Sequence, residues 1–132
     1  MMKATKVQRR QYDLESRLVN FAVRVIDIVE ALPNNLLGNH VAGQLVRCGT
    51  SPAANYGEAQ SAESRKDFVH RLKICVKELR ETKVWLAIVN RKELVKRTSE
   101  LSKVVVECDE LIAILVASIA TANAEHGATL TG

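Results

Sequence analysis

The sequence is poor in aromatic side chains, which make up only 4% of its 132 residues. An aliphatic core is therefore expected, and platforms on which the bases of single-stranded nucleic acid stack are scarce. The three cysteines lie far apart and form no zinc-binding pattern such as CxxC, so we predict reduced core thiols in a cytoplasmic protein. No apolar run approaches the roughly 18 residues that a membrane span needs. The basic N-terminus also lacks the apolar segment of a signal peptide.

The chain does contain enough apolar material for one domain. Hydrophobic residues make up 47% and charged residues 26%, which is typical of a globular protein. A chain of this length buries roughly two thirds of its unfolded surface, so it needs no disulfide or metal for stability. The formal net charge of +4 is a mild excess that is compatible with an anionic partner. We predict a single domain over 1–132, without a cofactor and with disorder in 1–11 and 124–132.

Apolar residues recur in steps of three and four in four segments, which is the period of amphipathic helices. The first segment runs from Asp13 to Leu32 and is stopped by Pro33. The third keeps an unbroken 4-3-4-3 alternation from Phe68 to Val89, the seam of a helix packed almost parallel to a neighbour. The other two cover 41–56 and 101–122. No segment alternates as a half-buried strand does, so we predict an all-α, antiparallel up-down-up-down four-helix bundle.

The second helical pattern passes through the stretch GTSP, residues 49–52, without losing its apolar register. Pro52 removes one backbone donor and clashes with the carbonyl of Cys48, so we predict one helix that is bent at this point. The stretch lacks the second glycine and the strand of a nucleophile elbow, and the chain contains no phosphate-binding glycine loop. We therefore assign Ser51 a structural role and not a catalytic one.

Small side chains recur every four residues along the same helix and form a small-residue ridge of Gly49, Ala53, Gly57 and Ser61. Such a ridge allows a neighbouring helix to approach closely. Glycine in a helix interior costs about 1 kcal/mol relative to alanine, so we predict a helix contact at Gly57. Asn55 and Glu58 are predicted to form a hydrogen-bonded pair that fixes helix register or an interface, with ligand contact as the alternative.

Basic residues on the third helix are spaced 4, 3, 4, 3 and define what we call the basic stripe: Lys66, His70, Lys73, Lys77 and Arg80. They occupy an arc of roughly 80° at about 100° per residue. Like charges at i, i+4 are mildly destabilising, so helix stability alone does not explain the stripe. Two interpretations remain open. The stripe is either a solvated face or a source of salt bridges between subunits, or it is a footprint for an anion such as the phosphates of RNA or another nucleic acid.

Two further features of the third helix bear on metal binding and assembly. Asp67 and His70 have the spacing of one half of a di-iron site, but such a site needs a second motif and two more carboxylates, so we predict no metal. Trp85 lies off the main seam, near the angular position of Ile74. Large aromatic residues in such positions are typical of subunit anchors, so we predict Ile74 and Trp85 at a subunit interface.

Residues 44–86 carry a run of separate motifs that resembles a known family. The motifs are Gln44-Leu45-x-Arg47, Gly49-Thr50-Ser51, Ala54-Asn55-Tyr56-x-Glu58-Ala59, Ser64-x-x-Asp67-Phe68, Lys77-Glu78-Leu79-x-Glu81-Thr82 and Trp85-Leu86. They are similar to motifs of the four-helix-bundle proteins encoded in intervening sequences of bacterial 23S ribosomal RNA genes, also called S23-type proteins. The resemblance extends over residues 12–120 of the chain.

This resemblance implies an antiparallel four-helix bundle without enzymatic activity, assembled as a ring-shaped homopentamer. Distant relatives include the accessory protein of diversity-generating retroelements, which is basic and works with nucleic acid and a reverse transcriptase. From the residues and the resemblance together we predict a homo-oligomeric scaffold protein that does not bind membranes. An RNA-binding module that uses the basic stripe is the alternative, and a di-iron bundle enzyme ranks third.

Overall fold

The computed structural model describes the backbone of residues 6–96 and 98–131, and the side chains of 13–96 and 98–125. Four helices account for nearly all of these residues: α1 (Lys6–Glu30), α2 (Leu36–Gln60), α3 (Arg65–Arg91) and α4 (Thr98–Thr131). The described residues form no strand, and none of these helices is long and apolar enough to cross a membrane. The all-α class and the four helices predicted from the sequence are confirmed.

The first and last helices both extend beyond their apolar patterns. The backbone is helical over 6–11 and 124–131, where the sequence led us to expect disorder. Both segments continue an established helix, and adding a residue to an existing helix is far easier than nucleating a new one. Residues 1–5 and 132, which belong to the same expectation, lie outside the described residues.

Side-chain caps begin the two central helices. Asn35 precedes α2, and its Oδ1 accepts a hydrogen bond from the backbone N–H of Gly38 at 2.8 Å. Ser64 precedes α3, and its Oγ accepts a hydrogen bond from the backbone N–H of Asp67 at 3.0 Å. Each bond satisfies one of the backbone donors that the first helical turn leaves free. The first turn follows Pro33, where the sequence predicted the end of a helix, and the second lies between the second and third helical patterns.

Contacts between α2 and α3 run in opposite directions along the two helices, which is consistent with antiparallel neighbours. Positions 47, 52 and 58 of α2 meet positions 81, 75 and 71 of α3, in that order. α2 packs extensively on α1 and α3, and α3 packs extensively on α4, whereas the contact between α1 and α4 is much smaller. The bundle is thus closed along three edges and more open along the fourth.

The core between the helices is mainly aliphatic, as the scarcity of aromatic residues predicted. The seam positions of α3 from Leu72 to Val89 are buried, and Phe68 is half-buried against the core. Thr82 lies on this seam and is completely buried, and its hydroxyl donates a hydrogen bond to the carbonyl of Glu78 at 2.8 Å. Because this bond satisfies the hydroxyl, the core accepts a polar side chain at that position.

α2 continues through Pro52 as a single helix. The hydroxyl of Thr50 donates a hydrogen bond to the carbonyl of Val46 at 2.6 Å. The thiol of Cys75 on α3 donates to the carbonyl of Pro52, with 3.4 Å between sulfur and oxygen. An uninterrupted helix is what the retained apolar register predicted, and the bend at Pro52 stays a prediction.

The small-residue ridge makes its close helix contact at Gly49 and not at Gly57. A Cβ atom at Gly49 would lie 2.6 Å from Cγ1 of Val25 on α1, far inside van der Waals contact. A Cβ atom at Gly57 would meet no described heavy atom within 4 Å beyond its own helix. Our prediction of a helix contact at Gly57 is therefore wrong for the described part of the chain. Each four-residue step turns a helix by about 400°, so the ridge rotates by about 80° between the two glycines and turns away from α1.

Gly38 is a second tight position, and the sequence patterns missed it. A Cβ atom there would lie 1.8 Å from the carbonyl oxygen of Pro33. The turn between α1 and α2 therefore requires a residue without a side chain at this point. Only the path of the backbone brings the Pro33 carbonyl against the next helix, which is why spacing alone gives no sign of the contact.

All three cysteines are free and buried, in keeping with the prediction of core thiols. Burial raises the pKa of Cys75 to about 12 and has the same effect on the pKa of Cys108, also to about 12. Burial likewise raises the pKa of Cys48. Because the thiolate is the reactive form, these side chains are protonated and inert near neutral pH.

Candidate functional site

The basic stripe lies on the outward face of α3, and all five of its residues are exposed. Three other cations of the same helix form ion pairs: Arg65 with Glu125, Arg71 with Glu58, and Lys83 with Asp109. In the part of the chain that the structure describes, no residue of the basic stripe forms an ion pair. The stripe therefore presents positive charge that no described side chain neutralises through an ion pair.

Two exposed apolar side chains continue the same face of α3 beyond the basic stripe. Val84 follows Arg80 by four residues and is 59% exposed, and Ile88 follows after four more and is 38% exposed. The outward face of α3 is thus basic over its first half and apolar near its end. Positive charge attracts anions, whereas exposed apolar surface is typical of protein contacts.

Asn55 and Glu58 on α2 both contact Arg71 on α3. The Arg71 guanidinium donates to Oδ1 of Asn55 at 3.3 Å and lies 2.7 Å from a carboxylate oxygen of Glu58. The amide nitrogen of Asn55 donates in turn to the hydroxyl of Ser51 at 2.9 Å and to its carbonyl at 3.1 Å. The helical i, i+4 rule pairs Arg71 with Asp67, but the structure pairs it with Glu58 across the helix interface. This network therefore links α2 to α3.

Arg47 on α2 forms a second polar cluster with α3. Its guanidinium lies 3.1 Å from the carboxylate of Glu78 and also binds Glu81, whose hydrogen bond raises the pKa of Arg47. Glu81 accepts a further hydrogen bond from the indole N–H of Trp85 at 3.2 Å. The Trp85 ring meets the imidazole of His40 edge-on, with 5.6 Å between the ring centroids. Residues from separate sequence motifs thus meet in one cluster.

Sequence reasoning did not predict these contacts, because they depend on the register between two helices. In a pair of antiparallel helices, the numbers of facing residues have a nearly constant sum. The contact of Pro52 with Cys75 fixes that sum, and the pairs Arg47–Glu81 and Glu58–Arg71 follow it closely. The register of α2 against α3 must be known before the rule applies, and spacing within one helix does not supply it.

Ile74 and Trp85 are both half-buried on α3. Ile74 lies roughly 60° from Arg71 and roughly 40° from Glu78 around the helix axis, and both of these residues contact α2. Trp85 packs partly against the core in addition to its contacts with Glu81 and His40. Both residues thus have neighbours within the chain, and their role at a subunit interface stays a prediction.

The described residues contain no group of three or more side chains that could hold a metal ion. The hydroxyl of Ser51 accepts a hydrogen bond from the amide of Asn55, a contact that does not remove its proton or activate it as a nucleophile. What α2 and α3 present is therefore a free cationic stripe, two polar clusters and an apolar end.

Similar proteins cover most of this chain. A family profile described as "23S rRNA-intervening sequence protein" matches residues 10–117. A protein of unknown function from the S23 ribosomal protein family of Bacteroides thetaiotaomicron has a crystal structure with a TM-score of 0.75. It is 30% identical, and the alignment covers 83% of this chain and 97% of that chain. No curated protein matches. The four-helix fold and the long profile match show that the chain belongs to the family of 23S rRNA-intervening sequence proteins.

Proposed function

We propose that this protein is a homo-oligomeric scaffold without enzymatic activity, which assembles through an apolar surface at one end of the bundle. The observation that supports this proposal is the exposure of large apolar side chains around Trp85. We call this surface the end patch, and it consists of the half-buried Trp85 and four exposed residues: Leu36, Leu37, Val84 and Ile88.

The end patch lies where the start of α2 meets the end of α3. The ring contact between His40 and Trp85 brings these two helix ends together. Leu36 is 92% exposed and Leu37 is 41% exposed, although both are large aliphatic residues. Removing apolar surface from water is worth about 25 cal/mol per Å². Burial of the end patch between copies would therefore favour assembly, and grouped exposed apolar residues are typical of interaction sites.

A homopentamer is the assembly that the family resemblance implies. Five chains of 14.6 kDa would have a mass of about 73 kDa. The free, buried thiols favour the cytoplasm as the location, since disulfides are rare there. In a closed ring each copy would present its basic stripe once, so assembly would multiply the positive surface.

The double substitution Leu37→Lys with Ile88→Lys is expected to convert the oligomer into smaller species. Both residues are exposed in the single chain, so the helices should form normally. The added charges would repel each other across an interface built from the end patch, because like charges in close contact disfavour association. Light scattering measures the mass, and circular dichroism checks that helicity is unchanged.

Val106→Lys with Val116→Lys provides a matched control for this experiment. Val106 is 58% exposed and Val116 is 43% exposed, and both lie on α4 outside the end patch. The control should keep the mass of the wild type. A wild type that is monomeric at micromolar concentration would contradict the scaffold function. Loss of mass in the control alone would place the interface elsewhere.

RNA binding is the second candidate function, and the unpaired charge of the basic stripe favours it. The substitutions Lys73→Glu with Lys77→Glu are expected to weaken the binding of structured RNA at low salt. Removing one interaction between a lysine and a phosphate should reduce the salt dependence of log K by roughly 0.7–0.9, because fewer counterions are then released. Titration of labelled RNA at several salt concentrations measures both effects.

The substitutions Lys92→Glu with Lys96→Glu make the same change in charge outside the basic stripe, at two other exposed positions. This control variant should bind RNA more tightly than the stripe variant. If the stripe variant instead dissociates the oligomer, and the wild type binds RNA only at background level, the stripe serves salt bridges between subunits. RNA binding would then be rejected and the scaffold function retained.

A further inference from the structure

We propose that a groove between the start of α3 and the end of α4 anchors the phosphodiester backbone of a nucleic-acid duplex. This inference rests on RNA binding as a candidate function, and it adds a place, a ligand class and residues outside the basic stripe. The groove has a volume of about 410 Å³ and is lined by Arg65, Lys66, Val69, His70, Lys73 and Asn123.

The groove combines unpaired cations with a neutral donor on the opposite wall. Lys66 and Lys73 are exposed on α3, and neither forms an ion pair among the described residues. Arg65 is 4.0 Å from Glu125, at the outer limit of an ion pair. Asn123 on α4 carries an amide group with two N–H donors. Phosphate oxygens accept several charge-assisted hydrogen bonds, so this set of side chains suits a phosphate group.

The chemistry of the lining favours a duplex over a single strand. None of the described phenylalanine, tyrosine and tryptophan side chains is exposed. Single strands are bound largely by stacking of their bases on such side chains. A duplex hides its bases and presents its phosphates, which lysine and amide groups recognise without reading sequence. We therefore expect duplexes of different sequence to bind with similar affinity.

The basic stripe gives the bound backbone a direction. From Lys66 to Arg80 the stripe rises ~21 Å along the helix axis, at 1.5 Å per residue. The groove lies at the first end of this stripe, and the exposed apolar surface begins at Val84 beyond the other end. A backbone held in the groove would thus pass along the stripe over several phosphates before it reaches the end patch.

Two opposite substitutions at Asn123 test the groove. Asn123→Asp places a carboxylate opposite Lys66 and Lys73, and it is expected to weaken binding of a duplex about tenfold at low salt. Asn123→Lys adds a cation at the same place and should strengthen binding about threefold. Because Asn123 is exposed, neither change should disturb folding, and opposite effects at one position do not arise from misfolding. The probes are an RNA duplex and a DNA duplex, each of about 20 base pairs, followed by fluorescence anisotropy.

Asn20→Asp is the matched control, since Asn20 is exposed on α1 and the change in charge is the same. Its affinity should stay within about twofold of the wild type. If both Asn123 variants bind like the wild type while Lys73→Glu with Lys77→Glu weakens binding, the groove is not the anchor and RNA binding stands. If the wild type binds no duplex at low salt, both ideas fail. Tighter binding of a single strand of equal length would overturn the assignment to a duplex.

Discussion

Substitution of Gly49 by leucine is expected to lower the free energy of unfolding by about 3 kcal/mol, the upper end of the usual cost of overpacking. A Cβ atom at this position already comes within 2.6 Å of Cγ1, 3.1 Å of Cβ and 3.2 Å of Cγ2 of Val25. The whole valine side chain, which is completely buried, must therefore move together with α1. Chemical denaturation at a fixed protein concentration measures the change, since the stability of an oligomer depends on concentration.

Gly57→Leu is the control for this prediction, because the space around Gly57 is open. Leucine has a higher helix propensity than glycine by nearly 1 kcal/mol, so this variant should be as stable as the wild type or more stable. Equal stability of the Gly49 variant and the wild type would show that α1 and α2 do not touch as the structure indicates. A large loss of stability at Gly57 would instead show that a second copy packs against this open position.

A rise in pH from about 9 to about 12 is expected to destabilise the fold through its buried thiols. The pKa of Cys75 and the pKa of Cys108 are raised from an ordinary value of 9.0 to about 12. Over this interval the unfolded chain loses thiol protons that the folded chain keeps, so unfolding becomes more favourable as the pH rises. Below pH 9 each thiol is protonated in both states and the free energy of unfolding does not depend on it. Between pH 9 and about 12, each thiol lowers the free energy of unfolding by roughly 1.4 kcal/mol per pH unit.

The double substitution Cys75→Ala with Cys108→Ala isolates this effect. Lysine and tyrosine residues also titrate above pH 9, but they are shared by the variant and the wild type. The free energy of unfolding should therefore fall less steeply with pH in the variant than in the wild type. The two slopes should differ by about 3 kcal/mol per pH unit, which is the sum for the two thiols. Parallel curves for the two proteins between pH 9 and 11 would rule out this role of the thiols.

The sequence predicted the helices because burial of aliphatic side chains imposes a period that can be read directly. The seam from Phe68 to Val89 and the end of the first helix before Pro33 follow from that period and from the geometry of proline. The contacts of Gly49 and Gly38 and the partner of Arg71 did not follow, because they depend on how one helix is placed against another. The exposure of the basic stripe was predictable from helical phase, whereas the groove beside it needs the end of α4 and could not be predicted.

The unequal edges of the bundle decide where it opens first. Opening the edge between α1 and α4 breaks their small contact and the ion pairs of Arg17 with Glu107 and Glu110, which are partly exposed. Ion pairs of this kind contribute roughly 0–1 kcal/mol each. Separating α2 from α3 would instead break a buried seam and both polar clusters. Local opening within one domain follows such differences in free energy. The bundle is therefore expected to open first along the edge between α1 and α4, while α1 stays packed on α2 and α2 stays packed on α3.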